Sequence, residues 1–258
     1  MQRSTLAVTE NLTCDDFLGG KLRIWQPRSG YRAGVDPVLL AAAVPAQAGD
    51  TVLELGCGVG VASLCVMTRV AGVNVTGVEV QADYAALALR NAGENDLPFD
   101  VVQADLRALP YEVRQQQFTH VIMNPPFFDR TRGTAAQDPG RDMALGGQTS
   151  LADWLDIGIK RLAPQGYLTV IQRIDRLPEV LAHIEGRIGA IVVEPIAGRA
   201  TKAPENFILQ GRHSGKTPFR LARPLVMQRG DRHESDREDY TAQVSGILRD
   251  GDALPLFD

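Results

Sequence analysis

Four consecutive residues, Asn124-Pro125-Pro126-Phe127, carry the most distinctive chemistry in this chain of 258 residues. They follow Phe118 to Met123, an apolar run with the length and residue types of a buried strand. Neither proline has a backbone N–H and both have a fixed φ, so the corner holds the Asn124 carboxamide and the Pro125 carbonyl in set directions. Two oxygen acceptors so placed suit an NH2 group whose lone pair is delocalised into a ring or a carbonyl. If each accepts one N–H, the nitrogen is drawn towards tetrahedral geometry and its lone pair turns outwards. The same acceptors stabilise the positive charge that develops as the nitrogen attacks. Phe127 would stack on a base carrying the amine, a contact worth roughly 1–3 kcal/mol and indifferent to base identity. A base inside a duplex or stacked loop must swing out to reach such a corner. The competing account is a rigid turn that ends a strand.

A second constellation lies earlier. Glu54-Leu55-Gly56-Cys57-Gly58-Val59-Gly60 stands where the apolar run Thr51 to Leu55 hands over to a helix, so backbone can approach a nucleotide-like ligand closely. In a dinucleotide fingerprint the third glycine falls three residues after the second; here it falls two after, and an acid precedes the first. This spacing favours a ligand without a pyrophosphate and with a positive charge, as in S-adenosylmethionine, whose spent form is S-adenosylhomocysteine. Glu54 is suited to its ammonium end by a charge-assisted hydrogen bond. Glu79, at the end of the next strand, can accept from both ribose hydroxyls, or it can cap the helix that follows. Asp105 can take the adenine amino group with Leu106 against the ring, or it can simply form a turn.

Together these residues resemble the class I methyltransferases with an Asn-Pro-Pro-aromatic motif, the methyltransferase small domain. The likeness runs from about Gly30 to Ile171. Within it, Gly30-Tyr31-Arg32-Ala33-Gly34-Val35-Asp36, then Leu39-Leu40, is similar to the upstream segment of the bacterial tRNA(Val) adenine-N6 methyltransferases. The resemblance implies that Tyr31, Arg32 and Asp36 border the cofactor pocket beside Glu54, Gly56, Gly58, Gly60, Glu79, Asp105, Leu106 and Asn124. It implies catalysis by Asn124, Pro125, Pro126 and Phe127 on an exocyclic base amine, adenine N6 of tRNA first. Phe127 stands where adenine-specific members often carry tyrosine and guanine-N2 members commonly carry phenylalanine. Guanine N2 of rRNA therefore stays open, as do the glutamine amide of a protein and a cofactor-binding module without catalysis.

The elements that must position these groups alternate along the chain. Strands at Thr51 to Leu55, Val73 to Val80, Phe99 to Gln103, Phe118 to Met123, Tyr167 to Ile171 and Ala190 to Pro195 are separated by helical stretches, among them Val59 to Val70, Ala82 to Asn95, Leu151 to Leu162 and Leu177 to Ile188. The pattern predicts an α/β, Rossmann-like class I methyltransferase fold: a mostly parallel seven-stranded sheet with an antiparallel C-terminal strand, and helices on both faces. Asn206 to Gly211 and Arg220 to Val226 are expected to pair antiparallel and close the sheet. Residues 1–28 read as an extension with a hairpin about Gly19-Gly20, residues 29–228 as the methyltransferase domain, and residues 229–258 as a charged tail with a short helix. The glycine-rich stretch from Asp129 to Ser150 reads as a surface loop or lid.

Charged residues are 22% and hydrophobic residues 44% of the chain, the balance of an ordinary globular protein. The net charge of −4 weighs against a nucleic-acid partner, yet Lys202, Arg212, Lys216, Arg220 and Arg223 face a single acid, Glu205, between Arg199 and Arg229. Lys202, Arg212, Lys216 and Arg220 are accordingly the candidates for RNA phosphates, and a solvated charged hairpin is the alternative. Cys14, Cys57 and Cys65 show no zinc or disulfide spacing, so no metal is expected and the compartment is a reducing, cytoplasmic one. No leader or membrane span is evident in the sequence. His120, inside an apolar strand, reads as a packed core histidine.

Overall fold

The computed structural model describes residues 11–126, 149–232 and 239–257. Phe127, the expected lid from Asp129 up to residue 148, and much of the charged stretch before Asp239 lie outside the described residues.

Strands β1 (Leu12–Phe17) and β2 (Leu22–Pro27) form the expected hairpin, with Phe17 opposite Leu22. Leu22, Ile24 and Gln26 alternate inwards and are buried. Trp25 faces the other way, beneath the Arg90 guanidinium at 4.0 Å. Leu22 and Ile24 join the main core, so the hairpin packs onto the sheet domain rather than trailing from it.

Next come α1 (Asp36–Ala43), β3 (Thr51–Leu55), α2 (Val61–Arg69), β4 (Asn74–Glu79), α3 (Ala82–Glu94), β5 (Asp100–Gln103), α4 (Tyr111–Gln115) and β6 (Phe118–Met123). After residue 148 follow α5 (Leu151–Arg161), β7 (Leu162–Arg173), α6 (Leu177–Ile184), β8 (Ile188–Arg199), β9 (Asn206–His213), β10 (Arg220–Leu221), β11 (Leu225–Gln228) and α7 (Ala242–Ser245). Ser150 and Asp153 exchange hydrogen bonds as a capping box that starts α5.

Among the described residues the nine-stranded sheet has the order β5-β4-β3-β6-β7-β9-β8-β10, with β11 also on β8, and all its strands are parallel except β9, which runs against both of its neighbours. Its central strands are apolar on both faces because helices cover both, with Leu39, Leu40, Leu64 and Val66 on one side and Trp154, Leu155, Val180 and Ile184 on the other. From β3 the chain builds outwards through β4 and β5, then returns to lay β6 on the opposite side of β3. That reversal opens a crevice at the carboxyl ends of β3 and β6, where such sheets take ligands.

One expectation is corrected. The Arg220 segment does not pair with β9; β10 and β11 lie in succession along β8, both parallel to it. Both edges of β9 are already used by β7 and β8, so the returning chain must take the free edge of β8. It keeps the expected direction, opposite to β9, with β8 inserted between them. Among the described residues no helix is long and apolar enough to cross a membrane.

Candidate active site

Leu55 of β3 pairs with Met123 of β6. The next residues, Gly56 and Asn124, therefore leave the sheet side by side, and the glycine loop and the Asn-Pro-Pro corner share one crevice. Gly56, Gly58 and Gly60 all have left-handed backbones, with φ of 65°, 55° and 89°. At Gly56 a side chain is also excluded by packing, because a Cβ there would lie 2.3 Å from the Trp154 ring.

Glu54 is buried below the loop. The Ser63 N–H (3.0 Å) and the Ser63 hydroxyl both donate to Oε2, and among the described residues neither bond uses Oε1. Burial pushes the Glu54 carboxyl up to about 8; the Ser63 bonds pull against this, and the neighbouring Glu79 adds to it. Glu79 is buried too and accepts the Gly58 N–H at 3.0 Å and the Gln81 N–H at 2.8 Å. Its pKa is raised by burial against the pull of backbone donors. Glu79 thus binds the glycine loop and the residue just ahead of α3 without capping that helix, which has no side-chain cap, and each of its oxygens keeps a second lone pair.

Tyr31 lies over the loop, its ring 3.9 Å from where a Gly58 Cβ would be. Burial and then the charges of Asp36, Glu54, Tyr84 and Glu79 raise its pKa. Its carbonyl accepts the Tyr84 hydroxyl at 3.0 Å. Asp36 occupies the first turn of α1 and makes no capping bond; its carboxyl, raised by burial, is hydrogen-bonded by the Asn206 side chain.

Two expected cofactor residues are committed elsewhere. Arg32 sends its guanidinium to Thr13 Oγ1 (2.7 Å), the Pro27 carbonyl (2.7 Å) and Asp15 (2.6 Å), so it ties the pocket segment to the hairpin rather than facing the loop. Asp105 takes the turn-forming role, accepting the Arg107 N–H at 2.9 Å and the Arg107 guanidinium at 2.6 Å. These Arg107 contacts hold its carboxyl below the usual carboxylate range. Leu106 beside it is buried, whereas Val80, just past Glu79, is 56% exposed. Val80 presents apolar surface at the crevice rim and was not singled out by sequence reasoning.

The four candidate phosphate contacts are not brought together, which corrects that reading. Lys202 lies in the β8–β9 turn, at the same sheet edge as Asn124. Arg212 is paired with Tyr167 at the other end of β9, six residues from the Asn206–Arg173 pair and so roughly 20 Å along the strand. Its guanidinium covers the Tyr167 ring at 5.1 Å, and Nε donates to the Gln165 carbonyl at 3.0 Å. Lys216 follows Arg212 at that far edge. Arg220 is held on the Leu256 carbonyl and lowers the pKa of Glu194, which burial raises to about 7. The antiparallel course of β9 explains the split, because it carries the chain from the carboxyl edge to the amino edge.

Other supporting residues also escaped the sequence reading. Ser63 holds Glu54. Gln172 is fully buried and donates to the Pro125 carbonyl at 3.2 Å. On α3, Asn91 and Asn95 bond the N–H and C=O of Trp25 and Arg23 on β2, and Asn91 also donates to the Val59 carbonyl of the glycine loop at 3.0 Å. Polar residues inside otherwise buried runs were the only signal for them. His120 is packed as expected, its Nε2 on Asp50 at 3.0 Å and its ring stacked on Tyr167 at 5.6 Å.

Residues 33–141 match the family model of the methyltransferase small domain, a span holding both the glycine loop and the Asn-Pro-Pro corner. A tRNA1(Val) (adenine(37)-N6)-methyltransferase of Shewanella baltica (strain OS155 / ATCC BAA-1091) is 34% identical over 164 residues, covering 60% of this chain and 66% of the relative. The enzyme of the same name from Shewanella loihica is 30% identical over 189 residues, covering 70% of this chain and 76% of the relative. The chain belongs to this methyltransferase family. Its match spans just under two thirds of the length of the Shewanella baltica relative.

Solved structures agree in fold. A protein of Agrobacterium tumefaciens described as a predicted O-methyltransferase superposes with a TM-score of 0.68 at 22% identity, covering 86% of this chain and all of that one. The 16S rRNA N2 G1207 methyltransferase of T. thermophilus, solved with AdoMet and guanosine, superposes with a TM-score of 0.54 at 19% identity, covering 78% of this chain and 50% of that one. At these identities the likeness carries the fold, a class I methyltransferase sheet, and no substrate.

Proposed function

We propose that this protein is an S-adenosylmethionine-dependent methyltransferase acting on the exocyclic amino group of a nucleic-acid base, adenine N6 of tRNA. One juxtaposition carries the reading: the acceptor corner at Asn124 and Pro125 emerges beside a glycine loop lined by buried carboxylates. Asp36, Glu54 and Glu79 all have raised pKa values, and no cation figures among the causes. Carboxyls buried without a counter-charge fit a ligand bearing both a sulfonium and an ammonium, which would favour their ionised form.

When bound, S-adenosylmethionine supplies an electrophilic methyl group on a cationic sulfur. Glu54, held by Ser63, offers Oε1 to the ammonium end. Glu79 offers its remaining lone pairs to the ribose, and Val80 offers apolar surface to the adenine. Asn124 Oδ1 and the Pro125 carbonyl each accept one N–H of the target base, and Phe127 stacks on its ring. The base nitrogen forms the N–C bond as the S–C bond breaks, then releases its surplus proton to water, with S-adenosylhomocysteine as the other product. No strong general base is needed.

Adenine is preferred because the relatives cited are named for adenine N6. RNA phosphates are assigned to the edge that carries the corner, to Lys202 and to Arg173, which terminates β7 and whose ion-pair partner among the described residues is the exposed Asp175 at 3.4 Å. A tRNA substrate implies a cytoplasmic location. Incubation with labelled S-adenosylmethionine and total tRNA, followed by nucleoside mass analysis, should yield N6-methyladenosine. N2-methylguanosine would reassign the base, and an unlabelled RNA pool would remove the reading.

A further inference from the structure

We infer that Gln172 is a positioning residue for methyl transfer: its side-chain amide fixes the direction of the Pro125 carbonyl, one of the two acceptors for the reacting amine. The inference rests on the reading of Asn124 and Pro125 given above. Gln172 continues the inward row of Leu168 and Val170 on β7, at the carboxyl end of the strand. An apolar residue would serve packing there, yet a fully buried glutamine stands in its place. Both ends of its amide are used. Oε1 accepts the Arg173 N–H at 2.8 Å, which sets the orientation of the amide and turns Nε2 onto the Pro125 carbonyl at 3.2 Å.

The di-proline corner makes this bond necessary. Pro125 and Pro126 have no N–H to donate, so the backbone of the corner can be tied to the sheet only through its carbonyls. A carbonyl oxygen has two lone pairs: Gln172 takes one, and the other stays free for the incoming N–H. Two donors on one oxygen compete, so the contribution of Gln172 is direction rather than acceptor strength. The link is also a register lock. Gln172 lies one residue beyond Ile171 on β7 and Pro125 two beyond Met123 on β6, so the bond extends the β6–β7 pairing past the last ladder pair, Met123 with Val170.

Two substitutions test the inference. Gln172→Met keeps the length and apolar volume of the side chain but removes the donor to the Pro125 carbonyl, together with the acceptor of the Arg173 N–H. Gln172→Glu keeps the acceptor for the Arg173 N–H and, while ionised, cannot donate to the Pro125 carbonyl. With labelled S-adenosylmethionine and total tRNA under single-turnover conditions, Gln172→Met should slow methyl transfer on the order of ten- to a hundredfold, the scale of a small misplacement of a reacting group. The dissociation constant for S-adenosylmethionine, the KM for tRNA and the unfolding midpoint should stay close to those of the unchanged protein. Gln172→Glu should be equally slow at alkaline pH and regain turnover, relative to the unchanged protein, as the pH falls and its carboxyl becomes a donor. A purely structural role would lower the unfolding midpoint and weaken cofactor binding without such a pH-dependent recovery. Unchanged transfer in Gln172→Met, or a loss in Gln172→Glu that stays constant across the pH range, overturns the inference. Absence of transfer by the unchanged protein would instead strike the proposed function.

Discussion

The two edges of the sheet use similar residues to opposite ends. At the amino edge, Asp50 meets His120, Arg212 covers Tyr167, and Tyr167 stacks on His120. Asp50, Arg212 and Tyr167 each have a partner within the protein, and His120 has one at Nε2, with Nδ1 buried and unbonded among the described residues. At the carboxyl edge, Glu54 and Glu79 are more deeply buried than Asp50 and, among the described residues, receive neutral donors, Ser63 for one and backbone N–H groups for the other. Burial without a counter-charge is costly, and it persists where a ligand completes the site. The difference teaches how a binding edge is told from a structural one: by which charges the fold leaves unanswered, not by which residue types are present.

The sharpest way to break this comparison is Asn124→Ala. Removing an acceptor matched to the reacting nitrogen should lower turnover by about 10²–10³, roughly 3–4 kcal/mol of barrier, as loss of a preorganised charge-stabilising group does. Cofactor affinity by calorimetry should be unchanged, and retained turnover would sink the mechanism.

Next in size is a pH effect carried by Glu54. Its carboxyl, raised from 4.5 to about 8, is largely protonated at neutral pH without ligand, and a cationic cofactor favours the ionised form. Affinity for S-adenosylmethionine should therefore strengthen with pH, by up to about tenfold per unit, and level off above the Glu54 pKa. Glu54→Gln should flatten the profile. The same shift makes the free protein more stable when the carboxyl is protonated. That contribution is fully present below 4.5 and is lost as the pH climbs through about 8. Melting curves with and without cofactor should diverge over this window.

At the other edge, Asp50→Ala leaves a buried imidazole without its partner and should cost about 1–3 kcal/mol of stability. It should leave cofactor affinity alone, and a change in that affinity would blur the contrast between the edges. The smallest effect separates the two cationic regions. Lys202→Ala should weaken tRNA binding a few-fold and reduce its salt slope by about one, while Arg212→Ala should change neither. Equal losses would restore the four-cation surface expected from sequence.

Much of the fold was legible because its signals are local. The run Thr51 to Leu55, the glycines after it and the helix that follows lie within about twenty residues, and the Asn-Pro-Pro corner declares itself in three. What escaped depends on partners distant in sequence. Arg32 looked like a pocket residue by its neighbours, but its side chain answers to Asp15 and Thr13 across a hairpin. Gln172 gave no hint of Pro125, 47 positions earlier. The cationic late segment looked like one patch because proximity along a strand was taken for proximity in space, whereas β9 spreads its charges from one side of the domain to the other.

The two asparagines of α3 have a wider consequence. By imitating a neighbouring strand they occupy the outer backbone of β2 at Arg23 and Trp25, so that edge of the hairpin is closed to a foreign chain there. Because Asn91 also grips the Val59 carbonyl, a blow to the hairpin would be felt at the glycine loop. Clipping that segment should cost the enzyme its methyl donor before it costs the enzyme its fold.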